Sequence, residues 1–188
     1  MPLSDPVERE PLHRRRYVFD GYRRGDGLWD IEGRIVDTKS YSFSNHDRGT
    51  IPAGEPVHEM AVRLTLDDDF VVREIEAATE HGPFAVCPGA TASYRALVGH
   101  TVGGGWRRTL RKVAGGWMGC THITELLGAM GTVAFQTIAP ARARAAGGHD
   151  GDGERALIGS CHAFRRDGPV VRRQWPADAL PPGGDDTA

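Results

Sequence analysis

The sequence predicts an α+β fold: an antiparallel sheet of two or more hairpins with about three helices packed on one face. Three observations predict it. In the first half of the chain, apolar and polar side chains alternate with a period of two. After residue 87 the period changes to 3.6. The resulting order, ββ-ββ-ααα-ββ, segregates strands from helices, as α+β folds do.

Residues 1–12 are polar and Pro-rich and read as a flexible arm. Residues 16–24 (RYVFDGYRR) and 28–41 (LWDIEGRIVDTKSY) are strand formers flanking Gly25-Asp26-Gly27, a short hairpin turn. Residues 44–56 are dense in Asn, Asp, Gly and Pro and read as a loop. Residues 58–66 alternate, with Met60, Val62, Leu64 and Leu66 on one face, and residues 70–78 return after the turn at Asp67-Asp68-Asp69.

Pro88 then stands at a favoured first helical position, so residues 88–98 are expected to be a short helix ended by Gly99. A basic helix follows Gly103-Gly104-Gly105, over residues 106–113. From 121 to 138, apolar residues at Ile123, Leu126, Leu127, Met130, Val133 or Ala134, and Ile138 mark an amphipathic helix. One domain over residues 13–140 is expected, then a polar, mobile linker over 141–154. A C-terminal hairpin over 155–176 would complete the domain, and residues 177–188 would be a disordered tail.

Composition bounds the function. The 188 residues are 39% hydrophobic and 26% charged, ordinary for a globular chain. Net charge is −2, so no global field favours nucleic acid or an anionic membrane. The first 16 residues contain no apolar signal region, and no run approaches the roughly 18 apolar residues of a membrane helix. A cytoplasmic protein with reduced thiols is expected; a homo-oligomer is compatible with the chain. Of 23 basic residues only Lys39 and Lys112 are Lys, and the Arg residues cluster, including Arg14-Arg15-Arg16 and Arg107-Arg108-Arg111. Arg clamps carboxylate or phosphate in a fork; such clusters equally form solvated faces.

Gly119-Cys120-Thr121-His122-Ile123-Thr124-Glu125 carries the most chemistry. Cys120 stands at a helix start, where the macrodipole favours a thiolate. His122 and Glu125, three apart, share a helix face, which is read as distinct from the one carrying Ile123, Leu126 and Met130. Such a set suits a metal or an activated Cys nucleophile with an acid/base partner. Cys87 occupies a second helix start, before Pro88, and His58 opens a strand beside Glu59. His58, Cys87, Cys120 and His122 are therefore the expected metal ligands, a Cys2His2 set for zinc or iron. Cys161 is read as a core residue of the last hairpin. Asp30 and Glu32 share one face of their strand and Asp37 faces oppositely; paired carboxylates could act as acid/base groups, but a solvent-facing strand is the preferred reading. His13 precedes the first Arg cluster, but nothing local ties it to a site.

PLHRRR (11–16), GYRRGDGLWDIEGRIVDTK (21–39), DRGTIPAGEPVHEM (47–60) and GCTHITELLG (119–128) resemble a bacterial family known as a domain of unknown function. The CHAFRRDGPVVRRQWP segment (161–176) is similar to it as well. More distantly, GEPVHEMAVRLTL (54–66), FVVREIEA (70–77), Cys87, Gly99-His100-Thr101 and Cys120 are similar to the NifU-type iron–sulfur scaffold domains. That resemblance implies a scaffold-like core in which positions 58, 87 and 120 converge. The chain departs from the pattern at His58, where the family has Cys, at Met60, where it has a nearby Asp, and at Gly119, where it has His.

These readings lead to a small metalloprotein holding one zinc or iron ion and acting on a small anionic substrate, a carboxylate or an acyl-CoA-like molecule. Glu125 and Glu59 are its acid/base candidates, with Arg14, Arg15, Arg107 and Arg108 holding the substrate. The reaction would be a hydrolase or lyase step. An iron–sulfur cluster or metal carrier is one alternative, and a metal-free hydrolase with a Cys120 nucleophile is the other.

Overall fold

The computed structural model describes residues 3–147, 155 and 157–175. The chain divides into two compact units, Met1–Thr137 and Ile138–Ala188. The first is α+β. Its sheet has the order β1-β2-β5-β6 and is antiparallel throughout, with β1 His13–Arg23, β2 Trp29–Lys39, β5 Pro56–Leu66 and β6 Val72–His81. The hairpin turn falls at Gly25-Asp26-Gly27, where Arg24 N donates to Leu28 O at 2.8 Å and Gly27 takes φ 89°.

Period-two patterning sets the faces. On β2, Trp29, Ile31 and Ile35 are buried, and on β5 so are Met60, Val62, Leu64 and Leu66. Directly paired residues share a face. The register Ile35↔Met60 and Ile31↔Leu64 therefore places all of them on one side of the sheet. The helices pack on that side. Cys87–Leu97 is a 3-10 helix rather than the expected α-helix. It is followed by α1 (Trp106–Ala114) and α2 (Thr121–Ala145). Trp106 Nε1 donates to Leu127 O at 2.8 Å, fastening α1 to α2. Tyr94 Oη binds Cys120 N (2.9 Å), Cys120 O (2.8 Å) and Thr124 Oγ1 (2.9 Å), anchoring the start of α2.

The α2 helix buries Ile123, Leu126, Leu127, Met130 and Ala134, the predicted stripe. It lies close to the sheet because β1 and β2 carry glycines beneath it. A Cβ on Gly33 would meet Leu126 at 3.1 Å, and one on Gly21 would meet Thr137 Oγ1 at 2.0 Å. This close approach brings the first turn of α2 down onto the end of β2.

Other expectations are corrected. The loop at 44–56 contains a small hairpin, β3 (Phe43–Asn45) with β4 (Gly49–Ile51). Asn45 Oδ1 accepts from Asp47 N and Arg48 N at 3.0 Å and Gly49 takes φ 73°, a turn that three-residue strands cannot announce by periodicity. The expected linker is partly helical, since α2 runs through Pro140 to Ala145. The run after Pro140 is rich in Ala and Arg, both strong helix formers. Residues 148–154 lie outside the described ones.

Among the described residues the expected C-terminal hairpin is not formed. The described residues of the second unit contain no strand, and Pro169–Gln174 is a helix, α3. Pro169 at its first turn fixes a helical φ. That preference overrides the β-branched Val170-Val171, which suggested a strand. Cys161 is exposed, not core. The expected tail, 177–188, lies outside the described residues, as do residues 1 and 2 of the arm; residues 3–12 carry no helix or strand. No described helix is long and apolar enough to cross a membrane.

Candidate functional site

The site stands at the end of the sheet where β1, β2, β5 and the first turn of α2 meet. Its centre is Asp37, 2% exposed, the last member of the Ile31-Gly33-Ile35-Asp37 series facing the helices. The pairings Arg15↔Asp37 and Asp37↔His58 bring a side chain from each neighbouring strand onto the same face. His122 descends from α2. His122 and Leu126 are four apart, so they lie on one helix stripe. The sequence reading that set His122 on a different face from Leu126 is thus corrected. Leu126 rests on Gly33 and His122 on Asp37, four residues further along β2.

Five nitrogens surround the Asp37 carboxylate. Arg15 Nε donates to Oδ1 at 2.7 Å and Nη2 to Oδ2 at 2.8 Å, a bidentate fork. His13 Nε2 lies 3.2 Å from Oδ1. His58 Nδ1 lies 3.2 Å and His122 Nε2 3.4 Å from Oδ2. The rings of His58 and His122 stack with centroids 3.9 Å apart. One ligand atom each from Asp37, His58 and His122 falls within 4.8 Å of the other two. Behind His122, Cys120 Sγ lies 3.8 Å from Nδ1. Above Arg15, its Nη1 (2.8 Å) and Tyr17 Oη (2.9 Å) both donate to Glu125 Oε2.

The electrostatics follow from burial and from Arg15. Burial alone would raise the Asp37 carboxyl, but the Arg15 fork, with His122 and His13 nearby, outweighs it and holds the group below the usual carboxylate range. The hydrogen bond to Asp37 raises the Arg15 guanidinium in return. Burial depresses both His58 and His122 below their ordinary 6.5; the neighbouring His122 adds to the effect on His58, and the Arg15 charge to that on His122. Both imidazoles are therefore neutral at pH 7, the form that binds metals.

Of the expected ligands, His58 and His122 come together and the two cysteines stay outside the three-residue group. Cys120 contacts the far side of the His122 ring. Cys87 packs near the end of β6, where a Cβ on Gly82 would come within 3.2 Å of its Sγ. Among the substrate-binding candidates, Arg15 is in the site. Arg14, its sequence neighbour, is on the opposite face of β1. Arg107 lies against Gly128 and Arg108 against Gly105, both along α1. Among the acid/base candidates, Glu125 is at the site mouth. Glu59, next to His58 in a strand, points to the other face and pairs with Arg34 (2.6 Å) and His81 (2.9 Å).

Asp37 and His13 are named in the sequence reading but not placed among the ligands or the site residues. The signal for Asp37 was its phase with Ile31 and Ile35, which marks a carboxylate on the buried face. For His13 it was only its phase with Arg15.

Residues 13–136 match the family described as "Protein of unknown function (DUF2889)". No curated protein and no solved structure matches the chain. The match spans well over half of the 188 residues, including every residue of the Asp37 cluster, and the chain belongs to the DUF2889 family.

Proposed function

We propose that Asp37, His58 and His122 hold one zinc or iron ion, and that the protein is an enzyme acting on a small anionic substrate. The convergence of five nitrogens on one carboxylate carries this reading. A carboxylate offers about four lone-pair sites. Arg15 takes two of them and His13, His58 and His122 face the remainder. Arg15 Nη2, His58 Nδ1 and His122 Nε2 all face Oδ2, three nitrogens against about two lone pairs, so a neutral ring is left without a full hydrogen bond there. A bound cation would use both imidazole lone pairs and relieve that crowding.

The spacing suits it too. Ligand bonds of about 2.0–2.1 Å in a tetrahedral site give edges of about 3.3 Å between ligand atoms. His58 and His122 stand 3.2 and 3.4 Å from Asp37 Oδ2. Two imidazoles and a carboxylate are a set used by zinc with an open fourth position and by non-haem iron. Arg15 would remain on the carboxylate as an outer partner, and Cys120, accepting from Nδ1–H, would keep the Nε2 of His122 free for the ion.

The open position would face Arg15, Tyr17 and Glu125. Arg15 and Tyr17 supply donors for a substrate carboxylate, and Glu125 supplies an exposed acid/base group. The ion would activate water or polarise the substrate, in a hydrolase or lyase step. A cytoplasmic, reducing setting would keep Cys120 as a thiol.

One observation favours a second reading. Cys120 Sγ lies 3.8 Å from His122 Nδ1 and His122 Nε2 lies 3.4 Å from Asp37 Oδ2, the order of a thiol nucleophile, its base and an orienting carboxylate. The carrier alternative has less support, because iron–sulfur clusters need thiolates and no cysteine is in the ligand group.

Metal analysis and an absorption spectrum of anaerobically purified protein separate the three. One zinc or iron per chain, lost in His58→Ala, is the expected result. Labile sulfide would favour the carrier. Metal-free protein whose Cys120 reacts with iodoacetamide far faster in wild type than in His122→Ala would favour the nucleophile.

A further inference from the structure

We infer that two copies of the chain associate through β1, pairing antiparallel about Val18 to make one continuous eight-stranded sheet. β1 is an open edge of the sheet. In the order β1-β2-β5-β6, all 11 residues of β1 pair with β2, and among the described residues no strand pairs with its outer side. That edge spans about 37 Å of backbone donors and acceptors. It contains no proline and no bulge, two of the devices that blunt an edge; its remaining device is charge, at Arg14, Arg15, Arg16 and Asp20. The other edge is treated differently: residues 99–101 cover the start of β6, with Gly99 N donating to Val72 O and Val72 N to His100 O, both at 2.9 Å.

The open face of the sheet, away from the helices, names the occupant. On the inner strands its charges are paired within the chain: Arg34 with Glu59 and Glu80, and Arg63 with Glu32 and Glu76. On β1 they are not. The side chains of Arg14, Arg16 and Asp20 are exposed and have no hydrogen bond or ion pair among the described residues. Val18 and Tyr22 on the same face are 54% and 49% exposed.

This strand is complementary to itself. Val18 is the midpoint of His13–Arg23, so a two-fold axis there overlaps the strands fully. Arg16 of one copy then stands opposite Asp20 of the other, twice by symmetry. Arg14 faces Tyr22, a cation–π pair, and Val18 meets Val18. On the helix face, Tyr17 stands opposite Phe19. Every unpartnered charge on β1 gains a partner. The contact is isologous and closes at two copies.

The test is the oligomeric state of the full chain, by sedimentation equilibrium, for wild type, Asp20→Arg, and the exchanged pair Arg16→Asp with Asp20→Arg. Wild type is expected to be a dimer. Asp20→Arg sets like charges opposite each other and should raise the dissociation constant on the order of tenfold or more. The exchanged pair restores opposite charges and should return the constant to near the wild-type value. That return also shows that the single variant failed through charge and not through folding. A monomeric wild type, a dimer unmoved by Asp20→Arg, or an exchanged pair that stays dissociated would overturn the inference. Metal content, measured in parallel, is expected to be unchanged in all three, because neither residue touches the Asp37 group. The two readings therefore fail independently.

Discussion

Arg15 grips Asp37 with two near-parallel bonds of 2.7 and 2.8 Å, and Asp37 is the residue on which the neighbouring strand and the first turn of α2 also converge. The pair is both a structural joint and the base of the proposed metal site. Its consequences can be measured separately.

Asp37→Asn keeps the shape and removes the charge. In metal-free protein Arg15 then loses its buried counter-ion, and stability to urea should fall by about 1–3 kcal/mol, the cost of leaving a buried polar group badly partnered. Metal should be lost from the same variant. Arg15→Lys keeps the charge but replaces the fork with a point contact. It should cost less stability, retain metal, and weaken binding of a substrate carboxylate. An Asp37→Asn protein that binds metal as wild type does would separate the joint from the site.

Acidification should act through the two imidazoles. His58 and His122 are depressed below 6.5 by burial, so between that value and their folded values the unfolded chain binds more protons than the folded one. Stability of the metal-free protein therefore falls as pH drops below about 6.5 and stops falling once the folded rings are protonated. Asp37 adds a second loss at lower pH. Its folded value lies below the usual one, so its contribution is present above the unfolded value and lost as pH falls through the folded one. Metal should leave in the His window, before Asp37 titrates. Equilibrium unfolding against pH, with and without zinc, shows the order; metal release above pH 6.5 would count against neutral, depressed imidazoles.

Gly33→Ala tests the fit between α2 and the sheet. The added methyl would stand 3.1 Å from both Leu126 and Phe19, and overpacking of this kind costs about 1–3 kcal/mol. His122 is one turn from Leu126, so lifting the helix should also weaken metal binding, although residue 33 touches no ligand. Thermal melting and zinc affinity measured on one preparation check both effects together.

How much of this was legible in the sequence depended on period and length. The long strands and α2 show through because each repeats its period several times, and the Gly-rich turn between β1 and β2 because its residue types force it. His58 keeps phase with Met60, Val62 and Leu64, so its face was readable. Asp37 was equally readable by phase, but Asp30 and Glu32 nearby made the segment look solvent-facing. The cysteines misled for a different reason. A position at a helix start says what a thiol can do there, but not which way the helix is rolled. The roll of α2 is set by Leu126 settling on Gly33, a contact between residues 93 positions apart. That roll turns His122 towards Asp37 and leaves Cys120 behind the ring.

The central claim is that the ion is held by one carboxylate and two imidazoles, without sulfur. X-ray absorption fine structure at the zinc edge of the zinc-loaded full chain measures this directly. The account predicts nearest neighbours at about 2.0–2.2 Å, all nitrogen or oxygen, with imidazole scattering from two rings that falls to one in His58→Ala. A sulfur neighbour at about 2.3 Å, or a spectrum that Asp37→Asn and His58→Ala leave unchanged, would contradict it.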